Sequence, residues 1–319
     1  MYLILDTQNM LKVHLKLLFL VLFINNIFSQ VQNEKILFVG HAFGSHSDND
    51  SSLDPILLEF TNSEKNYSKI ILGGDFIYDC SDKIEVENFQ SFISNNDINF
   101  VLGNHENCEE IKSIAKLNFG GTNYYEIINQ NLLVYLNTTI ESEDQYMDTI
   151  SFLEDILDAY NYNNLLIFSH QVIFSKSEWY LRTNSRTHYE YGNRVFNFIY
   201  KKFYEKSLMV YFFTGDIGAY SYTPYSFYHK DKNMNYVASG IGNKEHYKGV
   251  NISISDKVDF NFIDLKTSLS EQKDTYSKKW NQLYQLPKLI LYKIKKNYKF
   301  FLTLFLLFIS LYLYNRKKV

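Results

Sequence analysis

Short runs of apolar residues recur along the chain and are separated by segments with the spacing of helices. The runs lie at residues 36–39, 70–72, 98–102, 131–136, 165–168 and 208–213. Because they are apolar at nearly every position, they predict strands that are buried on both faces of a sheet. Beyond residue 240 the apolar positions alternate, at 250, 252 and 254 and then at 258, 260 and 262. This alternation predicts antiparallel strands that close a sheet.

Helix start signals follow several of these runs. Asp54 precedes Pro55, which predicts an N-cap with proline at the first helical position. Asp82 and Glu85 have the spacing of a capping box before a helical pattern, and a further helix is predicted from residue 143 to residue 159. The alternation of strands and helices predicts an α/β fold, in one domain from about residue 34 to residue 266.

The N-terminus predicts export. Lys12 and Lys16 precede the apolar run 17–24 and Ser29 follows it, which is the layout of a signal peptide at residues 1–29. Ile27 stands where a small residue would favour cleavage, so an uncleaved anchor stays open, and a first core element is the other alternative.

The C-terminus predicts attachment to a membrane. Residues 300–314 carry no charge and predict a transmembrane helix, with a buried terminal helix as the alternative. As a helix this run would be about 22 Å long against a hydrocarbon thickness of roughly 30 Å, and snorkelling by Lys299 and Arg316 extends it. Residues 267–299 predict a helical juxtamembrane stalk, and residues 315–319 a basic cytoplasmic tail. Together with the export signal, this predicts a single-pass membrane protein whose main domain lies outside the cytoplasm.

Composition and charge exclude several classes of protein. The 319 residues are 46% hydrophobic and 21% charged, which is typical of a globular protein and excludes a disordered chain. The net charge of −3 offers no basic surface for phosphate backbones, so no nucleic acid is expected as a partner. Two cysteines exclude a disulfide-rich scaffold and a zinc site of four thiolates.

Polar side chains that could bind a ligand follow the points where the buried runs end. Run 70–72 leads to Asp75, run 98–102 to Asn104 and His105, run 165–168 to His170 and run 208–213 to Asp216. In open α/β sheets the ligand crevice lies outside the carboxyl ends of the strands, so these side chains are expected to meet there. Their oxygen and nitrogen donors suit a transition metal such as Mn, Fe or Zn.

These residues resemble a known family. The sequence Gly74-Asp75-x-x-Tyr78, then Gly103-Asn104-His105-Glu106, then a strand that leads to His170, is similar to the calcineurin-like metallophosphoesterase superfamily. Tyr78 is similar to the tyrosine of the purple acid phosphatase version. The resemblance covers about residues 35 to 250. It implies a four-layer α/β/β/α metallophosphoesterase-like sandwich with a two-metal site.

The resemblance implies a role for each motif residue. Asp75 would bridge the metals, and Asn104 and His170 would complete much of the shell of one metal. His105 would protonate the leaving oxygen or stabilise charge on the phosphoryl group. Tyr78 would either bind a ferric ion as a phenolate or only pack. The implied function is hydrolysis of a phosphate ester outside the cytoplasm by a metal-activated hydroxide.

Two motifs depart from the family pattern. His41 stands in place of the carboxylate of the first motif, and Phe43 cannot bind a metal. In the last motif Asp216 can replace one histidine, but Gly218 cannot replace the other. Because both losses fall on the same metal, we expect one or two divalent or trivalent ions, the second held loosely or not at all by His41 with Tyr78 or His46. An altered but active site is preferred to an inactive one because His105 is retained.

Two further features lie near these motifs. Arg182 and Arg186 follow His170 in an insertion that also holds Arg194, and they are candidates for reading the substrate, with ordinary surface solvation as the alternative. Cys80 and Cys108 follow the two motif loops and would be either a disulfide or two thiols.

Two other functions stay open. The first is a non-catalytic binding or scaffold protein at the membrane that keeps the fold. The second is a metal-dependent hydrolase or transferase that acts on envelope carbohydrate or lipid.

Overall fold

The computed structural model describes residues 33–44, 53–64, 66–174, 181–184, 189–242, 247–271, 283 and 285–316. The predicted signal peptide at 1–29, together with His46, Arg186 and most of the predicted tail at 315–319, lies outside the described residues.

The described strands form two mixed sheets of six strands each. The first sheet has the order β12-β11-β10-β1-β2-β3. Its strands are β1 (Glu34–Gly40), β2 (Lys69–Gly73), β3 (Ile98–Phe100), β10 (Lys248–Ile254), β11 (Val258–Asp264) and β12 (Ser270–Glu271). Strands β1, β2 and β3 are parallel to one another, and the other pairs are antiparallel.

The second sheet has the order β4-β5-β6-β7-β9-β8. Its strands are β4 (Tyr124–Ile128), β5 (Asn131–Leu136), β6 (Asn164–Ser169), β7 (Met209–Thr214), β8 (Ser226–Asp231) and β9 (Met234–Ser239). The four central strands are parallel, and the edge strands β4 and β8 pair antiparallel to them. The carboxyl ends of the parallel strands therefore share one edge of this sheet.

The helices within the described residues are α1 (Pro55–Ser63), α2 (Lys83–Asn95), α3 (Glu109–Phe119), α4 (Glu143–Ala159), α5 (Tyr189–Phe203), α6 (Leu286–Lys296) and α7 (Tyr298–Arg316). Helices α1, α2, α4 and α5 connect successive parallel strands, α3 leads from the first sheet to the second, and α6 and α7 follow the last strand, β12. Asp54 caps α1 by accepting the Ile56 N–H at 2.9 Å, as its position before Pro55 predicts.

Three hydrophobic clusters show how the layers stack. In β1, Leu37 and Val39 belong to the cluster formed with α1, α2 and α3. Phe38 points the other way, and its ring centroid lies 5.8 Å from that of Phe168 and 5.9 Å from that of Phe213 in the second sheet. The third cluster joins the second sheet to α4 and α5. The two sheets thus face each other with helices outside both, and the predicted α/β fold is confirmed as a sandwich of two mixed sheets.

Several predicted elements agree with the structure in detail. Helix α4 covers residues 143 to 159 as predicted, and the alternating segments form the antiparallel pair β10 and β11. One local prediction is wrong. Glu85 does not close a capping box; it accepts the N–H groups of Tyr78 and Asp79 at 2.8 and 3.2 Å. Its carboxylate therefore supports the loop after β2 rather than the start of its own helix.

The C-terminal prediction has no support. Among the described residues, no helix combines the length and the apolar character that crossing a membrane requires. The predicted stalk at 267–299 contains strand β12 and helix α6 in its described parts.

Candidate metal centre

The candidate site lies where the carboxyl ends of strands from both sheets meet. Gly40 pairs with Gly73 at the ends of β1 and β2, and Gly215 follows β7 in the other sheet. A Cβ atom at Gly215 would lie 2.0 Å from the Gly73 oxygen and 2.8 Å from the Gly40 Cα. Only glycine allows the two sheets to approach this closely, and this approach brings the side chains after β2, β6 and β7 together.

Three of the predicted ligands converge. Asp75, His170 and Asp216 are buried, and each offers one ligand atom such that all three atoms lie within 4.8 Å of one another. His170 Nε2 lies 3.3 Å from Asp75 Oδ1 and 3.8 Å from Asp216 Oδ1. Asp75 comes from the first sheet and the other two from the second, so the site joins the two halves of the sandwich.

Several side-chain atoms at this site are buried and make no hydrogen bond. Within the described structure, Asp75 Oδ1, Asn104 Oδ1 and His170 Nε2 have no hydrogen-bond partner. Buried polar atoms are nearly always satisfied, so these three need a further group between them. The second ring nitrogen, His170 Nδ1, donates to the Gly73 oxygen at 2.9 Å, which fixes the ring with Nε2 facing the acids. This donor set fits a transition metal ion.

The same acids act on the pKa of His170. Burial lowers this pKa, but the charges of Asp75, Asp216 and Glu106 and the hydrogen bond to the Gly73 oxygen together raise it, so that the net direction is upward. A positive group at this point is favoured by the two carboxylates, which is the electrostatic preference that a cation site requires.

The loop that carries Asp75 has an unusual backbone. Gly74 and Asp75 have φ angles of 80° and 51°, in the left-handed region. A Cβ atom at Gly74 would lie 2.4 Å from His170 Nδ1, so glycine is needed both for the conformation and for the contact. Asp75 has a Cβ atom, which makes the left-handed conformation unfavourable, so contacts with its surroundings must stabilise this conformation.

Glu106 holds this loop, and the sequence did not reveal that role. Its fully buried carboxylate accepts the N–H groups of Gly103, Asp75, Phe76 and Ile77 at 2.7 to 2.9 Å. Burial and the neighbouring Asp75 charge raise the pKa of Glu106 to about 7. The sequence signal for Glu106 is its position as the last residue of the Gly-Asn-His-Glu motif.

His41 lies near the site but outside the converging group. It is 4% exposed, has a φ of 48°, and its Nδ1 lies 2.9 Å from the Ile241 oxygen. Burial lowers its pKa, which favours the neutral ring. Among the described histidine, cysteine and acidic residues, only Asp75, His170 and Asp216 form a group within metal-binding distance. The role of His41 as a ligand of a second ion stays a prediction.

His105 lies among aromatic side chains close to the candidate site. Its Nδ1 lies 2.7 Å from the Tyr78 backbone oxygen. The Phe43 ring centroid lies 4.5 Å from that of His41, 5.0 Å from that of His105 and 5.6 Å from that of Tyr78. Phe43 therefore occupies the centre of this group of rings. Tyr78 packs edge-on against Phe43 and is 39% exposed.

The remaining predicted residues have separate surroundings. Arg182 is half-buried, and its backbone N–H donates to Gln285 Oε1 at 3.3 Å. Arg194 forms a bidentate ion pair with Glu143 on the surface. Cys80 and Cys108 are free thiols, so the disulfide alternative is not realised. Burial and a hydrogen bond with Cys108 raise the pKa of Cys80 to about 12.

The chain matches no protein-family model, and no curated protein is significantly similar to it. The function is therefore inferred from the geometry of the site.

Proposed function

We propose that this protein is a metal-dependent phosphoesterase. The observation that carries the proposal is the convergence of Asp75 and His170, both with unpartnered buried ligand atoms, on Asp216. Asn104 Oδ1 is the fourth ligand in this proposal because it too is buried and unpartnered. A transition metal held by these residues would supply Lewis acidity toward a phosphoryl oxygen and a more acidic water.

His105 is suited to act as the proton donor. A carbonyl oxygen can only accept, so His105 Nδ1 must carry a hydrogen that points to the Tyr78 oxygen. The second proton of the imidazolium then resides on Nε2, and this is the atom that would release it to the leaving oxygen. The bond to the Tyr78 oxygen holds the ring in one orientation for that transfer.

The layer order supports the same proposal. Helices, sheet, sheet and helices follow one another, as implied by the likeness to calcineurin-like metallophosphoesterases. The proposed site lies between the sheets at the strand ends. His41 and Gly218 fall where the family keeps ligands for a second ion, so we propose one firmly held ion.

Phe43 favours a second candidate, a non-catalytic binding protein with the same sandwich. Its ring lies among His41, Tyr78 and His105, with its centroid 5.0 Å from that of the proposed acid His105. In that case the metal would have a structural role. This alternative predicts metal binding without hydrolysis.

Membrane attachment through residues 300–314 stays a prediction. In α7 the described side chains Phe300, Phe305 and Phe308 are 65%, 61% and 62% exposed. Exposed aromatic side chains on one helix are typical of a surface that contacts lipid or protein. Flotation of the full chain with lipid vesicles would test this prediction, and recovery of the protein only in the lipid-free fraction would oppose it.

The test of the function is hydrolysis by the full chain after loading with Mn, Fe or Zn. We expect turnover of a nitrophenyl phosphate mono- or diester, lost on Asp75→Asn and lowered about 100-fold on His105→Ala. His229→Ala, on edge strand β8, is the matched control and should keep full activity. Metal-loaded protein without hydrolysis of either ester would leave the binding protein as the better account.

A further inference from the structure

A second group of buried polar atoms lies beside Asp216. Arg182 Nε, Asn184 Nδ2 and Gln285 Nε2 are buried and have no hydrogen-bond partner in the described part of the chain. Gln285 as a whole is only 2% exposed. Arg182 and Asn184 are two residues apart, and Gln285 contacts the Arg182 backbone. Three buried polar atoms without hydrogen bonds on these residues indicate a bound group.

All three atoms are hydrogen-bond donors. Gln285 Oε1 accepts the Arg182 N–H at 3.3 Å, and Asn184 Oδ1 accepts the Ala219 N–H at 2.9 Å. A backbone N–H can only donate, so these bonds fix the orientation of both amides and identify the unpartnered atoms as NH₂ groups. The guanidinium of Arg182 contains only hydrogen-bond donors and carries a permanent positive charge. The group therefore requires acceptors and favours a negative charge.

The backbone joins these residues to one another and to the metal centre. The Arg182 N–H donates to the Gln285 side chain, and the Asn184 N–H donates to the backbone oxygen of Asp216 at 3.0 Å. Gln285 also precedes helix α6, whose start has no side-chain cap.

We infer that Arg182, Asn184 and Gln285 form an oxyanion-binding site for a phosphate or carboxylate group. Planar guanidinium and amide donors are suited to both. The site includes Gln285 from the predicted stalk, so this segment takes part in ligand binding. A role in substrate recognition rests on the proposed phosphoesterase function and implies a substrate with a second anionic group. Oxyanion binding itself does not depend on that function.

The test measures binding of inorganic phosphate, with acetate as a second arm, to the full chain freed of metal by a chelator. Without metal, Asp75 and Asp216 repel anions, so binding reports on the Arg182 site. Gln285→Glu keeps the oxygen that accepts the Arg182 N–H but replaces the donor with an acceptor. We expect this variant and Arg182→Met to bind phosphate at least about tenfold more weakly.

Arg194→Met is the matched control because Arg194 is paired with Glu143 on the surface, and its affinity should equal that of the unchanged protein. Thermal unfolding of each variant shows whether it is folded, and one folded variant of the two is enough to decide. Lack of phosphate and acetate binding by the unchanged protein, or undiminished binding by a folded variant, would overturn the inference. Failure of metal-loaded protein to hydrolyse esters would refute the proposed function and leave this result intact.

Discussion

At the scale of single residues, the candidate site depends on one buried carboxylate that is not a ligand. Glu106 accepts four backbone N–H groups from the two loops that carry Asp75 and Asn104. Charge-assisted bonds of this kind offset the cost of the left-handed conformation at Asp75. The position of the proposed metal ligands is thus set by a residue that is not one of them.

Glu106→Gln tests this support. A glutamine has the same shape but turns an NH₂ group toward backbone donors, so buried N–H groups lose their acceptor. We expect the free energy of unfolding in urea to fall by about 3 kcal/mol. Glu109→Gln is the control because its side chain is 87% exposed, and it should unfold as the unchanged protein does. Equal stability of the two variants would mean that Glu106 does not hold the loop.

Metal binding should stabilise the fold through Asp75. A ligand that binds only the folded state raises Tm. A free metal concentration of about 100 times the Kd corresponds to an increase in Tm of about 5 °C for a chain of this size. Differential scanning calorimetry with Mn, Fe or Zn should show this gain in the unchanged protein but not in Asp75→Asn. Asp97→Asn, whose side chain is 66% exposed, should keep it. The same gain in Asp75→Asn would place the metal elsewhere.

The sequence was informative about ligands and silent about their support. Asp75, His170 and Asp216 could be predicted to converge because each follows a strand whose carboxyl end faces the same crevice. The role of Glu106 could not be predicted because its donors come from residues 75–77 and 103, which only the folded loops bring together. His41 has the position of a ligand in the sequence, but it lies outside the group that Asp75, His170 and Asp216 form.

At the scale of elements, strand ends from opposite sheets touch through backbone alone. Gly40 and Gly73 end adjacent parallel strands, and Gly215 meets both from the other sheet. No side chain separates the elements here, so the distance between ligands on β2, β6 and β7 is set by backbone contact. This arrangement makes the site sensitive to a single methyl group.

Gly215→Ala adds that methyl group. Its Cβ would lie 2.0 Å from the Gly73 oxygen, so the sheets must separate or the chain must shift. We expect a loss of unfolding free energy of about 3 kcal/mol together with loss of metal binding. Gly121→Ala is the control, since its nearest neighbour would be the Asn123 oxygen at 3.4 Å. A stable, metal-binding Gly215→Ala protein would contradict the backbone contact.

Element prediction succeeded for most strands and helices, but it missed edge strands β4 and β8 and the uniformly buried central strand β9. Helix α4 was predicted to the residue because its apolar positions repeat over 17 residues. Edge strands β4 and β8 were not predicted, since their buried and exposed positions mix and neither forms an apolar run. The Glu85 capping box failed because the loop after β2 competes for the same carboxylate.

At the scale of the whole molecule, polar contacts join the sheets away from the metal centre. Lys69 on β2 lies 2.8 Å from Glu126 Oε2 on β4, and Asn99 Nδ2 donates to Glu126 Oε1 at 2.9 Å. The Tyr135 hydroxyl donates to the same carboxylate. The side chains of Lys69 and Glu126 are 14% and 27% exposed, so the pair is partly screened by solvent.

Lys69→Met tests the contribution of this network to the packing of the sheets. Removing the ammonium leaves the Glu126 carboxylate without its counter-charge, and we expect a loss of about 2 kcal/mol in urea unfolding. The double variant Lys69→Met with Glu126→Gln should recover part of this loss because the partly buried Glu126 charge is removed as well. Asp97, the other ion-pair partner of Lys69, is 66% exposed and is solvated without it. Lys112→Met, in an exposed pair with Glu109, is the control. An unchanged Lys69→Met would show that apolar packing alone holds the sheets.

The most direct test of the central claim is anomalous X-ray diffraction from crystals grown with Mn, Fe or Zn. The account predicts a peak between Asp75, His170 and Asp216, with Asn104 Oδ1 completing the ligand set. Metal-soaked crystals with no anomalous peak at these residues, or with a peak only elsewhere on the chain, would contradict it.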